Sequence, residues 1–287
     1  MEFVRAHKRY TALFIVVVLL ITAFIVLYYE ERGGKMRITF FDVGQGDSVL
    51  IESPTGGQLL YDAGPPSGAV LRGLGKELPF YDRTIDVAVL SHPDLDHIGG
   101  FPDVFRRYHI GLALEPGVFS GNGAYETVLA AITDRHVAHE EAHLGHRIEL
   151  GGGVVAEIIY PDRNVLGLDT NAASITMIVS YGTTKVLLSG DLPQEEEEHL
   201  VRTYGTGLDV DIFKLGHHGS RTSTSPLWLT ALSPKIGVIS RGKENRYGHP
   251  HQEVVDLLNE QQVTILDTGE LGSISFESDG REIRRVP

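Results

Sequence analysis

The 287-residue sequence predicts an α/β domain carried behind a single transmembrane helix. Two observations carry this prediction. After residue 170, short apolar segments of strand length alternate with amphipathic segments of helix length, and the strand-like segments end on polar, glycine-containing clusters. Residues 11–29, in contrast, form an uncharged run before any such alternation begins.

That run corresponds to about 28 Å of helix, close to the hydrocarbon thickness of a bilayer. No small-x-small cleavage pattern follows Tyr28 and Tyr29, which favours an anchor over a cleaved signal peptide. Arg5, Lys8 and Arg9 precede the run against Glu2, whereas Glu30 and Glu31 offset Arg32 and Lys35 after it. The positive-inside bias therefore places residues 1–10 in the cytoplasm and the rest of the chain on the extracytoplasmic side of the cell membrane, as a single-pass protein. Residues 30–35 read as a short linker and residues 36–287 as one catalytic domain.

Within that domain, residues 36–41 and 48–52 read as strands flanking the glycine-rich turn from Asp42 to Asp47, and residues 58–61 continue into Asp62-Ala63-Gly64. A short helix over 70–76 precedes a buried strand over 85–90. Further strands over 174–180, 185–188, 211–215 and 235–240 alternate with helices over 194–204, 226–232 and 252–261. Strands stop where polar clusters start, so the candidate chemistry gathers on one rim.

The chain contains no cysteine, which excludes disulfides, thiolate ligands and a cysteine nucleophile. A metal must then be held by imidazole and carboxylate. Net charge is −13, and residues 1–10 carry +2, leaving −15 for everything after them. Such acidity argues against an extended basic surface for salt-sensitive nucleic-acid binding, but leaves room for a local groove or a metal-mediated contact with phosphate.

In His92-Pro93-Asp94-Leu95-Asp96-His97, four potential ligands fall within six residues. A loop running into a helix start can aim His92 and Asp94 to one side and Asp96 and His97 to the other, which suits two metals. The competing reading is a solvated helix N-terminus with an Asp cap. Other polar clusters have plainer readings. His136, His139, His143 and His146 have helical spacing but interleave with Glu140, Glu141 and Arg147, as on a solvated face. Glu195 to Glu198 suits the start of a helix, and His251 a helix N-terminal surface.

The hexapeptide, followed by Gly190-Asp191, His217-His218-Gly219-Ser220 and Gly248-His249-Pro250, resembles the metallo-β-lactamase superfamily, and most closely the extracytoplasmic hydrolase domain of ComEC-type DNA-uptake proteins. Residues 41–48, Asp62-Ala63-Gly64, Asn171 to Ser174, residues 214–220 and 245–250 add to the resemblance, which spans about residues 36–278. It implies a four-layer αββα sandwich with a metal site on one edge. Carried over, it gives His92 and Asp94 to one metal, Asp96 and His97 to the other, and Asp191 to both. His217 or His218 completes the second site; His217 is preferred, being first after its strand and 26 residues beyond Asp191, and the other would stand behind the ligands. Asp42 and Asp47 are assigned to shaping the turn around Gly44 and Gly46. Asp94 and Asn171 stand where most of the superfamily has histidine, which shifts the expectation from firm zinc toward manganese or magnesium, with zinc retained.

The expected activity is a phosphodiesterase or nuclease acting on DNA through a hydroxide held between two divalent cations and oriented by Asp96. His249 or His218 would protonate the leaving group, while Ser220, Ser223 and Asn245 offer hydrogen bonds to substrate or simply shape turns. Two other functions stay open: hydrolysis of a cell-envelope phosphodiester such as a phosphocholine-bearing polymer or another small ester, and a non-catalytic metal-binding module. The multi-helix channel region that accompanies such domains is not in the sequence, so a channel partner is unspecified.

Overall fold

Side-chain alternation along the strands decides the architecture. The computed structural model describes residues 10–24, 33–205 and 207–286. It divides into two units, Met1–Lys35 and Met36–Pro287.

The first unit contributes helix α1 (residues 10–24), with exposed apolar side chains including Leu13, Phe14 and Leu20. Residues 25–29 of the expected span lie outside the described residues, as do residues 1–9 and 30–32. Among the described residues, no helix is long and apolar enough to cross a membrane.

The second unit runs β1 (Met36–Phe40), β2 (Val49–Glu52), β3 (Gln58–Tyr61), α2 (Ala69–Glu77), β4 (Thr84–Val89), α3 (Leu95–Ile98), α4 (Phe101–Arg107), β5 (His109–Glu115), α5 (Gly123–Asp134) and β6 (Ala138–Glu141). It continues with β7 (Arg147–Gly151), β8 (Val154–Tyr160), β9 (Thr176–Tyr181), β10 (Thr184–Leu188), α6 (Gln194–Tyr204), β11 (Ile212–Lys214), α7 (Pro226–Leu232) and β12 (Ile236–Ile239). The chain closes with α8 (Gln252–Glu260), β13 (Thr264–Asp267), α9 (Thr268–Leu271), β14 (Ile274–Ser278) and β15 (Ile283–Val286).

The strands form an eight-stranded sheet in the order β15-β14-β1-β2-β3-β4-β5-β6 and a seven-stranded sheet in the order β13-β12-β11-β10-β9-β8-β7. Because successive strand residues face opposite ways, each sheet feeds two cores. Val49, Ile51, Leu59 and Tyr61 of the first sheet meet Met177, Val179, Val186 and Leu188 of the second in a shared inner core. Their neighbours Leu50 and Leu60 face outward onto Val70 and Leu74 of α2 and Phe101 and Phe105 of α4. Leu187 and Phe213 likewise face Leu200 of α6, Trp228 of α7 and Leu258 of α8. The result is helix, sheet, sheet, helix. Each fully buried aliphatic or aromatic side chain in these layers contributes roughly 1.5–3 kcal/mol.

Two sequence expectations change. Residues 109–160 contain β5 to β8, for which no strands were expected. β6 is exposed throughout and carries no apolar alternation to read, whereas β5 and β8 bury apolar residues such as Ile110, Leu114, Ile158 and Ile159. Finally, the histidines from His136 to His146 do not share a helix: His136 has a left-handed backbone after α5, His139 lies in β6, and His143 and His146 follow it in a loop.

Candidate metal centre

Five strands deliver their C-terminal ends to one rim. β3 runs into Asp62, β4 into Ser91 and His92, β10 into Gly190 and Asp191, β11 into a 3-10 turn over Gly216–Gly219, and β12 into the loop that carries Asn245 and His249. Asp94 occupies the N-cap position of α3 with no side-chain bond to the helix, and α3 presents Asp96 and His97 within its single turn. Gly46 brings the β1–β2 turn against that helix: a Cβ there would lie 2.1 Å from the Asp96 carbonyl oxygen. The same carbonyl accepts the Asp47 N–H at 3.2 Å. His217 and His218 both adopt left-handed backbone conformations, at φ 49° and 56°, which non-glycine residues seldom hold away from functional sites.

These turns converge on Asp191. One carboxylate oxygen, Oδ1, lies 3.3 Å from His97 Nε2, while Oδ2 lies 3.6 Å from His217 Nε2, 3.7 Å from His218 Nε2 and 4.0 Å from His92 Nε2. His218 Nε2 is also 3.3 Å from Asp96 Oδ2, and its Nδ1 bonds the Ser240 carbonyl at 2.9 Å. Ligand atoms of Asp47, His97, Asp191 and His218, all buried, lie within 4.8 Å of one another. Asp94 is half-buried beside His92, with Thr170 donating to its Oδ1 at 2.9 Å.

The donor set fits a metal. His92 Nε2, His97 Nε2, His218 Nε2 and Asp191 Oδ1 are buried without a hydrogen-bond partner, an arrangement that costs roughly 1–3 kcal/mol per group unless something binds there. The opposite ring nitrogens are engaged: Ser91 Oγ lies 3.0 Å from His92 Nδ1, and Asp62 Oδ2 lies 2.8 Å from His97 Nδ1. Asp62 also accepts from the Ser91 N–H and Oγ, at 2.8 and 2.7 Å. A carboxylate on the far side of a ring fixes its orientation and aims Nε2 inward.

Protons and Lys214 balance the acids here. Burial pulls His97 down, but the Asp191 and Asp62 carboxylates outweigh it and hold the ring well above the usual imidazole range. His218 is likewise opposed by burial yet raised to about 9 by Asp191 and Asp47. Burial and the neighbouring His97 drive His92 down to about 3. The fully buried Lys214 ammonium ion-pairs with Asp47, donates to the Gly190 carbonyl at 3.1 Å and stands 3.8 Å from Asp191 Oδ1.

His92, Asp94, Asp96, His97, Asp191 and His217 are thus brought together, and the structure adds two placements to that set. The buried His218, rather than His217, groups with Asp47, His97 and Asp191, while His217 lies on the solvent side with Nδ1 3.0 Å from Thr222 Oγ1. Asp47 does more than shape a turn: Asp42 does that, by accepting the Gly44 N–H, whereas Asp47 points into the cluster. Lys214 and the orienting role of Asp62 had no signal in local spacing, because each acts across more than one strand.

The residues expected to touch substrate are otherwise engaged. Ser223 is buried and donates to the Leu192 carbonyl at 2.8 Å, and Ser220 Oγ accepts from Thr222. The Asn245 amide donates to the Gly242 and His249 carbonyls and its oxygen accepts the His249 N–H. All three shape backbone. Burial and the nearby His218 and His217 lower His249 to about 4, so its ring is neutral at pH 7 and holds no imidazolium proton for a leaving group. Asn171 opens a 3-10 turn and its side-chain oxygen is buried without a partner. Beside the centre, a cavity of about 700 Å³ is lined by Asp94, Asp96, Leu95, Pro66, Pro102 and Asn122, among others.

Residues 41–243 match the metallo-β-lactamase superfamily. Two curated relatives are ComE operon protein 3 of Bacillus subtilis (strain 168), 29% identical over 274 residues, and competence protein ComA of Neisseria gonorrhoeae, 33% identical over 262 residues. Each alignment covers 90% of this chain and 35% of the relative, so the chain spans about a third of their length. Among solved structures, Igni18, a metallo hydrolase from the archaeon Ignicoccus hospitalis, superposes with a TM-score of 0.54 at 16% identity, covering 85% of this chain and 99% of that one. At that identity the likeness concerns the fold. With paired sheets between helical layers and a His- and Asp-built centre at their rim, the chain belongs to the metallo-β-lactamase superfamily, as a metal-dependent hydrolase with ComEC-type competence proteins among its homologues.

Proposed function

We propose that the protein is a membrane-anchored, extracytoplasmic phosphodiesterase that cleaves DNA using two divalent cations, manganese or zinc in the first instance. The observation that carries the hydrolytic part is the set of buried, unpartnered donor atoms on His92, His97, His218 and Asp191. Support for nucleic acid as substrate comes from relatives named for competence. The uncharged run over residues 11–29, with positive charge before it, supports the anchor and its orientation.

Two cations in such a centre would supply an activated water nucleophile and stabilise charge growing on a phosphoryl oxygen. The chain's own residues prepare that chemistry. Asp62 and Ser91 lock the rings of His97 and His92, so that both Nε2 atoms face Asp191. Lys214 holds Asp47 and the Gly190 carbonyl in place beneath Asp191. Asp96, held by His218 and well below the usual carboxylate range despite its burial, stays ionised and able to orient an attacking water. His249 Nδ1 is buried without a partner, and its ring, neutral at pH 7, holds no imidazolium proton for a leaving group.

The test is incubation of the purified chain with manganese and end-labelled single- and double-stranded DNA, beside Asp191→Ala. Cleavage by the wild type that falls to background in the variant is the expected outcome. Turnover of a small phosphodiester without DNA cleavage would redirect the assignment to a cell-envelope phosphodiester.

A further inference from the structure

We propose that Tyr247, with Arg246 against it, forms a ledge on which a base of single-stranded nucleic acid stacks next to the metal centre. The inference rests on the nuclease reading and specifies its substrate form.

A ladder of rings leads outward from the centre. The His249 ring centroid lies 6.2 Å from that of His218 and 5.7 Å from that of His217. Tyr247 then stacks on His249 at 5.7 Å with 21° between the planes. The inner ring is buried, whereas Tyr247 is 51% exposed. Arg246 lies 5.2 Å over the Tyr247 ring and donates to its hydroxyl at 3.1 Å.

Two features argue for a built platform rather than a stray surface aromatic. The loop is pinned from within by the three Asn245 bonds and across to the β1–β2 turn by the Gly242 N–H, which donates to Gln45 Oε1 at 3.3 Å. The charges are also apportioned. Arg241 and Lys243 face Asp267 and Glu270, whereas Arg246 faces the Tyr247 ring and hydroxyl. In a protein whose charge after residue 10 is −15, a cation over a half-exposed ring beside a hydrolytic centre is locally complementary to a nucleotide. The ring meets the base, and the guanidinium, displaced from the ring, meets the adjoining phosphate.

Such a platform reads a π-face, which every base has, so it discriminates little by sequence. It does discriminate by strandedness, because duplex bases hide their faces in their own stack and only an unstacked base can reach the ring.

The test is fluorescence anisotropy of labelled oligothymidylate and of a hairpin duplex of equal length, with the full chain in EDTA. Wild type is compared with Tyr247→Leu, Tyr247→Phe and Tyr247→Trp, and melting temperatures confirm that each variant is folded. Tyr247→Leu should weaken oligothymidylate binding about tenfold or more, Phe and Trp should retain most of it, and the duplex should bind more weakly than the single strand. With manganese, the Leu variant should show its loss on oligothymidylate in KM more than in kcat. Equal binding by wild type and Tyr247→Leu, or a duplex bound as well as the single strand, overturns the ledge while leaving the nuclease reading intact. A wild type that binds no oligothymidylate and cleaves no DNA, yet hydrolyses bis(p-nitrophenyl) phosphate, overturns both.

Discussion

Lys214 and Asp47 show what a single residue does at this centre. Their ion pair has no access to solvent, and Lys214 also reaches the Gly190 carbonyl that precedes Asp191. Removing one partner of a buried pair strands the other charge. Lys214→Met is therefore expected to cost about 3–5 kcal/mol in urea unfolding of the metal-free chain, and Asp47→Asn to lower stability as well. The double variant should cost less than the sum of the two. Strict additivity would show that the contact carries no coupling. Asp62 acts differently, through a ring: Asp62→Ala leaves His97 Nδ1 without its carboxylate and should weaken metal binding roughly 10- to 100-fold by calorimetry, since an orienting partner is lost and the ligands remain. An unchanged affinity would refute that role.

Sequence reading named His92, Asp94, Asp96 and His97 from their spacing and Asp191 from the family resemblance, but gave no place in the centre to Asp47 or Lys214. His92, Asp94, Asp96 and His97 are legible because one strand end and one helical turn present them together. Asp47 comes from the turn after β1, and Lys214 from the end of β11 in the other sheet. No spacing rule connects them, because their meeting depends on how two sheets face each other. The choice between His217 and His218 stayed open in the sequence for a related reason. Two successive left-handed residues turn both side chains toward Asp191, and a strand-based expectation of alternation does not apply to them.

At the scale of elements, the loop after the His217-His218 turn is held by helix α6. Glu197 is buried there, its two oxygens accepting the Thr224 and Ser225 N–H groups at 2.6 and 2.7 Å. Ser225 in turn caps α7 by accepting the Trp228 N–H. Burial raises the Glu197 carboxyl to about 7 against the pull of those backbone donors. A carboxyl whose folded pKa exceeds its unfolded value binds more protons in the native state. Its contribution is thus complete below about 4.5 and is lost as pH rises through about 7. The stability gap between wild type and Glu197→Gln, read from urea midpoints, should accordingly be larger at pH 5 than at pH 8. A gap that does not vary with pH would count against the shift.

Elements whose burial follows a period were readable: α6 and α7 fall at the expected residues 194–204 and 226–232. β6 was not, being exposed throughout and held in place by parallel pairing with β5 from Leu112 to Glu115. Hydrogen bonding to a neighbour makes it a strand, and hydrogen bonding leaves no mark on hydropathy.

For the molecule as a whole, the centre lies where the two sheets share a rim, so a cation bound there joins both halves of the sandwich. Ligand that binds the native state alone stabilises by mass action, by about 2.7 kcal/mol at a hundredfold excess over Kd. Manganese or zinc should then raise the melting temperature of the chain by roughly 5–10 °C. Asp191→Ala, lacking the carboxylate on which four histidines converge, should show little of that rise in differential scanning calorimetry. Equal shifts in both proteins would place the metal elsewhere.

The sequence by itself placed strands and helices and the cluster from His92 to His97, while the four-layer arrangement came with the family resemblance. Periodic burial writes the faces of strands and helices into the chain, and a strand end followed by a helical turn writes a cluster such as His92 to His97. Tertiary structure decided which distant groups complete the centre: Asp47 and Lys214 as a buried pair, Asp62 behind His97, and His218 inside with His217 outside. Those assignments depend on the packing of one sheet against the other, a relation between residues far apart in the chain that pattern along the chain does not encode.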